Sequence, residues 1–151
     1  MTARTMSDPT TPPLTAERLR DLFAGGPFTD AVIDALVPYY ADDVVFTDPI
    51  QTVRGRDEFV AMNRRLLSRA KHLQFDVRDM AQEGDQVFLT WTMTMQPKPV
   101  GPELRIEGVT HCVLRDGKVV IHRDYWDLLG SMMETIPLAG TVYKAAVRLL
   151  G

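Results

Sequence analysis

The sequence predicts an α+β fold: helices come first, then a run of antiparallel strands, and a strongly curved sheet with the helices closing one end would leave a pocket between them. Three observations predict it. Apolar residues recur at helical spacing before Lys71, they alternate with polar ones after it, and the compact turns Glu83-Gly84-Asp85 and Arg115-Asp116-Gly117 separate the alternating runs. The chain has 151 residues, enough for one domain with a sizeable core.

Residues 1–13 are rich in Thr and Pro and lack the apolar stretch of a secretory signal, so they read as a disordered leader ahead of a single domain, 14–151. Thr15 caps a first helix with Leu19, Leu22 and Phe23 on one face, ended by Gly25-Gly26-Pro27. Thr29 caps a second, with Val32, Ile33 and Leu36 inward, closed by Pro38. Residues 44–47 are short and β-branched and read as a strand, and Pro49 opens an irregular loop to Gly55. Residues 56–70 form the clearest helix. Its inner stripe is Phe59, Met62, Asn63, Leu66 and Leu67, and Arg64, Arg65 and Arg69 make its solvated face. Strands follow at 73–82, 86–95, 103–114 and 118–128, with a stiff proline-rich connection at 97–102. The tail, 132–151, is apolar on one side and interrupted at Pro137 and Gly140. Its last part, 141–150, is expected to dock over the pocket mouth or against a partner subunit.

Composition excludes several functions. A net charge of −3 without a basic stripe leaves no footprint for nucleic acid. No run approaches the roughly 18 apolar residues of a membrane span. The single cysteine, Cys112, excludes an internal disulfide and fits a reducing cytoplasm. There is no phosphate loop, dinucleotide fingerprint or serine-hydrolase elbow, and no HxH or HExxH, so neither a cofactor nor a metal is expected.

The chemistry concentrates in Val119-Val120-Ile121-His122-Arg123-Asp124-Tyr125-Trp126-Asp127. As a strand it puts Val120, His122, Asp124 and Trp126 on one face and Val119, Ile121, Arg123, Tyr125 and Asp127 on the other. A carboxylate between an imidazole and an indole is costly to bury without a purpose or partner. Three readings of Asp124 stay open: a general base in the pocket, a buried acid paired with His122, Thr110 or an arginine, or a residue turned to water by a bulge. Asp48, in Val44-Val45-Phe46-Thr47-Asp48-Pro49, is either a second pocket carboxylate or the cap of the turn that Pro49 begins. If both aspartates share one pocket, one stays ionised and the other holds a proton. His122 either serves Asp124 or the substrate, or is satisfied by a backbone carbonyl. His111 points out of the cone, and His72 sits in solvent at a strand start. Phe46, Trp91, Met93, Thr110, Cys112 and Trp126 are expected to line the pocket, whose apolar wall with few polar groups suits a small apolar ligand.

These residues carry a family resemblance. The order of elements, Phe46-Thr47-Asp48-Pro49, the helix start Gly55-Arg56-Asp57 and the terminal Arg123-Asp124-Tyr125-Trp126-Asp127 resemble the NTF2-like superfamily, which includes SnoaL-like proteins, ketosteroid isomerases and limonene epoxide hydrolases. The resemblance spans about residues 14–140. It implies a cone-shaped α+β barrel, usually a homodimer, with a deep apolar pocket. The terminal strand and Ile136-Pro137-Leu138 are similar to limonene epoxide hydrolase, where the residue matching Asp124 activates water. That family's catalytic arginine and its next aspartate fall on Trp91 and Met93, and its water-holding tyrosine and asparagine on Phe46 and Asp48, so only one catalytic carboxylate carries over. Thr47-Asp48-Pro49 is similar to the setting of the isomerases' proton-shuttling aspartate, but their oxyanion-hole aspartate falls on Thr110 and no tyrosine occurs in the first helix. The expectation is a cofactor-independent acid–base enzyme, hydrolase- or isomerase-like, with Asp124 as base and Asp48 and His122 as partners. The alternative is a non-catalytic ligand-binding or dimeric interaction protein.

Overall fold

In the computed structural model, which describes residues 11–135 and 138–149, the helical periodicity of the first third becomes α1 (Ala16–Phe23) and α2 (Asp30–Leu36). Most of the expected leader, residues 1–10, lies outside the described residues, as do Ile136 and Pro137. Thr15 caps α1 as expected, its hydroxyl accepting from Arg18 N at 3.1 Å. Thr29 occupies the matching position before α2 but makes no side-chain cap bond. Leu14 and Leu19 are fully buried, and Leu14 N donates to Gly117 O at 2.9 Å, tying the chain start to a turn of the sheet.

Strand β1 (Tyr40–Thr47) begins four residues earlier than the β-branched run suggests. The loop after Pro49 is not wholly irregular: β2 (Thr52–Arg54) folds back antiparallel on β1, with Phe46 opposite Val53. The chain then enters α3 (Arg56–Ser68), whose Arg56 reaches Asp42 at 2.7 Å and Tyr40 O at 3.2 Å and so pins the helix start to β1. Long strands follow: β3 (Ala70–Glu83), β4 (Gln86–Pro97), β5 (Leu104–Arg115) and β6 (Lys118–Trp126). Asp116 and Gly117 both have positive φ, 52° and 75°, the geometry of a tight hairpin turn between β5 and β6. Helices α4 (Leu128–Thr135) and α5 (Ala139–Arg148) complete the described chain. Gly140, expected as a break, lies inside α5, and no residue of α5 is buried.

The six strands form one curved, unclosed sheet in the order β2-β1-β6-β5-β4-β3. The expectation of a purely antiparallel sheet is corrected at one pair: β1 runs parallel to β6, with Phe46 opposite His122. A parallel pair needs a long crossover, and α3 with β3 to β5 supplies it. A second correction concerns β6. Val113 pairs with Ile121 but Leu114 pairs with Val119, so Val120 is an extra residue, a β-bulge. Before it Val119 is buried, and after it His122 is buried while Ile121 is exposed. The expected inner face therefore holds for His122, Asp124 and Trp126 but exchanges Val120 for Val119.

The core lies between the concave sheet face and α1 to α3, where Leu73, Val44, Val87 and Val119 are essentially inaccessible. At one end, Phe23, Phe28 and Phe75 pack with centroids 5.4 to 6.0 Å apart. No helix among the described residues is long and apolar enough to cross a membrane.

Candidate active site

Between the sheet and the helices lies a cavity of about 510 Å³. Phe46, Trp91, Met93, Thr110 and Trp126 line it, together with Asp48, His122 and Asp124. A rim groove of about 440 Å³ also touches Asp48, Asp124 and Trp126, so the two carboxylates stand where the cavity meets solvent. Cys112 does not line the cavity. It is fully buried opposite His122 in the ladder, and burial, then the Asp124 charge, pushes its thiol pKa up. This corrects its expected place in the wall. His111 sits on the outer face as expected, stacked on Phe88 with centroids 4.5 Å apart and bonded to Gln86. His72 is exposed.

The strand periodicity accounts for how the polar groups meet. Thr110 is the direct cross-strand partner of Asp124, and His122 precedes it by two on the same face. Thr110 Oγ1 lies 2.5 Å and His122 Nε2 2.9 Å from the same oxygen, Asp124 Oδ1. Trp91 Nε1 reaches Thr110 Oγ1 at 2.8 Å. It does so because Trp91 faces Gly108 across the ladder, where a Cβ would overlap the indole ring. At the other end Tyr40 Oη is 2.8 Å from His122 Nδ1. Tyr40, Phe46 and Phe59 surround the imidazole with centroids 5.0 to 5.9 Å away.

The direction of each bond follows from what the groups can donate. Indole N–H only donates, so the Thr110 hydroxyl accepts from Trp91 and gives its one hydrogen to Asp124 Oδ1. Buried Tyr40 donates to His122 Nδ1, which leaves the imidazole proton on Nε2, aimed at the same Oδ1. Oδ1 thus accepts two hydrogen bonds. Among the described residues Asp124 Oδ2 has no hydrogen-bond partner and it is not a buried orphan, so it is the accessible oxygen, at a residue that borders both the cavity and the rim groove. Asp124 borders the cavity and is paired with Thr110 and His122. The bulge sits upstream and does not turn it to water.

Tyr40, which sequence reasoning did not single out, is 1% exposed. Burial first, then the charges of Cys112 and Asp124, hold its pKa well above the ordinary phenol value. Asp48 is engaged otherwise. Its Oδ1 accepts from Ile50 N at 2.7 Å and Gln51 N at 2.9 Å, capping the turn after β1 while its side chain still borders the cavity. From α4, Leu128, Ser131 and Met132 line the cavity. Of 141–150, expected to dock over the mouth, no described residue lines the cavity; α4 lines it in their place. Among the described residues no group of three or more His, Cys, Asp or Glu is placed to hold a metal ion.

The family model described as a SnoaL-like domain matches residues 16–122, well over half of the chain. The protein belongs to the SnoaL-like family. The match ends at His122, two residues before the carboxylate that anchors the network in this SnoaL-like protein. Among solved structures, a proposed SnoaL-like polyketide cyclase from Jannaschia sp. CCS1 is similar, at 25% identity over 79% of this chain and 87% of that one, with a TM-score of 0.66. A limonene-epoxide-hydrolase-like epoxide hydrolase from M. tuberculosis shares 17% identity over 87% and 92% of the two chains, TM-score 0.63. A protein with a ketosteroid isomerase-like fold from Catenulispora acidiphila, in complex with trimethylamine, shares 18% over 68% and 80%, TM-score 0.61. At such identities the last two likenesses show the fold. No curated protein matches the chain.

Proposed function

We propose that the SnoaL-like chain is a cofactor-independent acid–base enzyme that takes a small apolar, oxygen-bearing molecule into the cavity, with Asp124 as general base. The observation that carries this is the state of the Asp124 carboxylate. One oxygen is held by Thr110 and His122 and the other is accessible, at a residue that borders the cavity, the arrangement of a base whose lone pair is aimed by its neighbours. His122 orients Asp124 and carries a proton on the adjoining nitrogen. Asp48, at the same rim, is the second carboxylate through which a proton can return from solvent. Phe46, Trp91, Met93, Thr110 and Trp126 form the wall. The deep donors Trp91, Thr110 and Tyr40 are all bonded within the network, so none is left to stabilise an enolate oxygen. That supports activation of water over double-bond isomerisation. It is also the observation that favours the second reading, a ligand-binding protein without turnover. We include a homodimer and a cytoplasmic setting in this proposal. The outer sheet face with Phe88, Ile121 and Tyr125 exposed supports the first and the lone reduced cysteine the second.

Asp124→Asn tests the proposal. Against a panel of epoxides and cyclic enones, turnover is expected to fall by about 10²- to 10⁴-fold, the usual contribution of a general base, with ligand affinity retained. A chain whose turnover is unchanged by the substitution does not use this base, and one that binds ligand without turnover in either form is a binding protein.

A further inference from the structure

The arginines of the described chain divide by how they are held. Arg20, Arg56, Arg64, Arg78, Arg105 and Arg115 each pair with a carboxylate. Arg18 bonds the Tyr39 hydroxyl and Arg123 lies over the Tyr125 ring. Arg54, Arg65, Arg69 and Arg148 have no hydrogen bond, ion pair or ring partner for their guanidinium groups among the described residues, and of these Arg65 and Arg69 line the cavity. They are four residues apart at the end of α3, on one side of the helix. The same cavity is lined by Leu66, Met95 and Leu104.

Their position relative to the base is set by α3. Phe59 packs against His122 with centroids 5.6 Å apart, beside the candidate base. Arg65 and Arg69 follow six and ten residues later, roughly 9 and 15 Å further along the helix at a rise of 1.5 Å per residue. The carboxylates lie at another level of the sheet: Asp124 pairs with Thr110 and Thr110 with Leu89, and Asp48 is two residues beyond Phe46, the partner of His122, whereas Arg69 directly precedes Ala70, which pairs with Pro97, eight residues beyond Leu89 on β4. The cavity is therefore electrically polar along its length, with an apolar body between an acidic pair and a cationic pair. The sequence reads Arg65 and Arg69 as a solvated face, and both are exposed; they also border the cavity.

We propose that the cavity takes an amphipathic ligand carrying an anionic group, a carboxylate or sulfonate, at the end remote from the reacting oxygen, and that Arg65 and Arg69 bind that group. This rests on the cavity being the ligand site and adds the substrate class. The two guanidinium groups donate to the oxygens of the anion, and the opposed charges fix which end of the ligand meets Asp124. A neutral ligand of the same body enters without that preference.

The test uses two dyes with one aromatic body, 1-anilinonaphthalene-8-sulfonate and the uncharged N-phenyl-1-naphthylamine. Each is titrated by its emission on entering an apolar site, with energy transfer from Trp91 and Trp126 reporting that it lies in the cavity. The sulfonate is expected to bind about tenfold tighter than the neutral dye, the scale of two partly exposed charge-assisted contacts. The preference should vanish in Arg65→Gln/Arg69→Gln, persist in Arg65→Lys/Arg69→Lys, and shrink with added salt, while the neutral dye binds all forms alike. If the two dyes bind equally, or the double Gln variant keeps the preference, the inference is wrong and the acid–base reading stands. If neither dye enters, both fall.

Discussion

Tyr40 Oη and His122 Nδ1 lie 2.8 Å apart in a buried bond beside the cavity, joining the first residue of β1 to the strand that carries the candidate base. With that bond in place the imidazole proton is on Nε2, where it meets Asp124. Tyr40→Phe removes it at a cost of about 1 kcal/mol in stability. The variant is expected to keep the proton on Nε2, held there by Asp124, but to lose the bond that fixes the ring from its other side, with turnover falling while KM holds. Nitrogen NMR reads the Nδ1 resonance, which should move as its hydrogen bond is lost. An unmoved Nδ1 resonance and unchanged turnover in the variant remove Tyr40 from the positioning role.

Thr110 is the hinge of the donor chain, since it accepts from Trp91 and donates to Asp124. Thr110→Val leaves a buried indole N–H without an acceptor, a loss of about 1–3 kcal/mol in unfolding free energy. Thr110→Ser keeps the hydroxyl and should stay close to the parent. Urea denaturation of the three proteins decides it, and equal stability of Val and Ser forms would deny the bond its importance.

Gly108 lies opposite Trp91 on one side and Trp126 on the other. Gly108→Ala would press a methyl group into the Trp91 indole. The expected outcome is a loss of about 1–3 kcal/mol from overpacking, with changed tryptophan emission as Trp91 leaves Thr110. An alanine variant with parent stability and spectrum would mean the sheet yields at this point.

Alkaline stability should report the two buried acids beneath the site. Cys112 and Tyr40 both have folded-state pKa values raised by burial above their ordinary 9.0 and 10.0. Below those ordinary values both folded and unfolded chains hold the protons and full stability is present. Above them the unfolded chain ionises first, so stability is lost as pH rises toward the folded values. Denaturation between about pH 8 and 11 should show a decline that Cys112→Ser weakens from its onset and Tyr40→Phe weakens above the phenol value. A flat profile in the parent would contradict the burial of both groups.

Much of this was readable from residue order. Period-two alternation put His122, Asp124 and Trp126 on one face, and the same rule placed Trp91, Met93 and Thr110 toward them. Tyr40 escaped because Asp42, exposed and paired with Arg56, interrupts the alternation from Tyr40 to Val44 and Phe46. Strand β2 has three residues and no apolar pattern of its own. The parallel pairing of β1 with β6 depends on topology, which local periodicity does not encode. Arg65 and Arg69 look like any basic helix face until the opposite wall is in place.

The bulge at Val120 has an evolutionary side. Val120 and Ile121 stand between two inward residues, Val119 and His122, where a regular strand needs only one. Loss of one of those two codons leaves Val119, His122 and Asp124 on the inner face and straightens the strand, since a bulge adds bend and twist. Loss of the Arg123 codon instead sets His122 beside Asp124 and sends the two to opposite faces. Tolerance of length change is therefore confined to one point of this strand. A lineage built on the scaffold can reshape the wall, and with it the outline of the molecule it admits, by a single in-frame deletion there, while the base stays where it is.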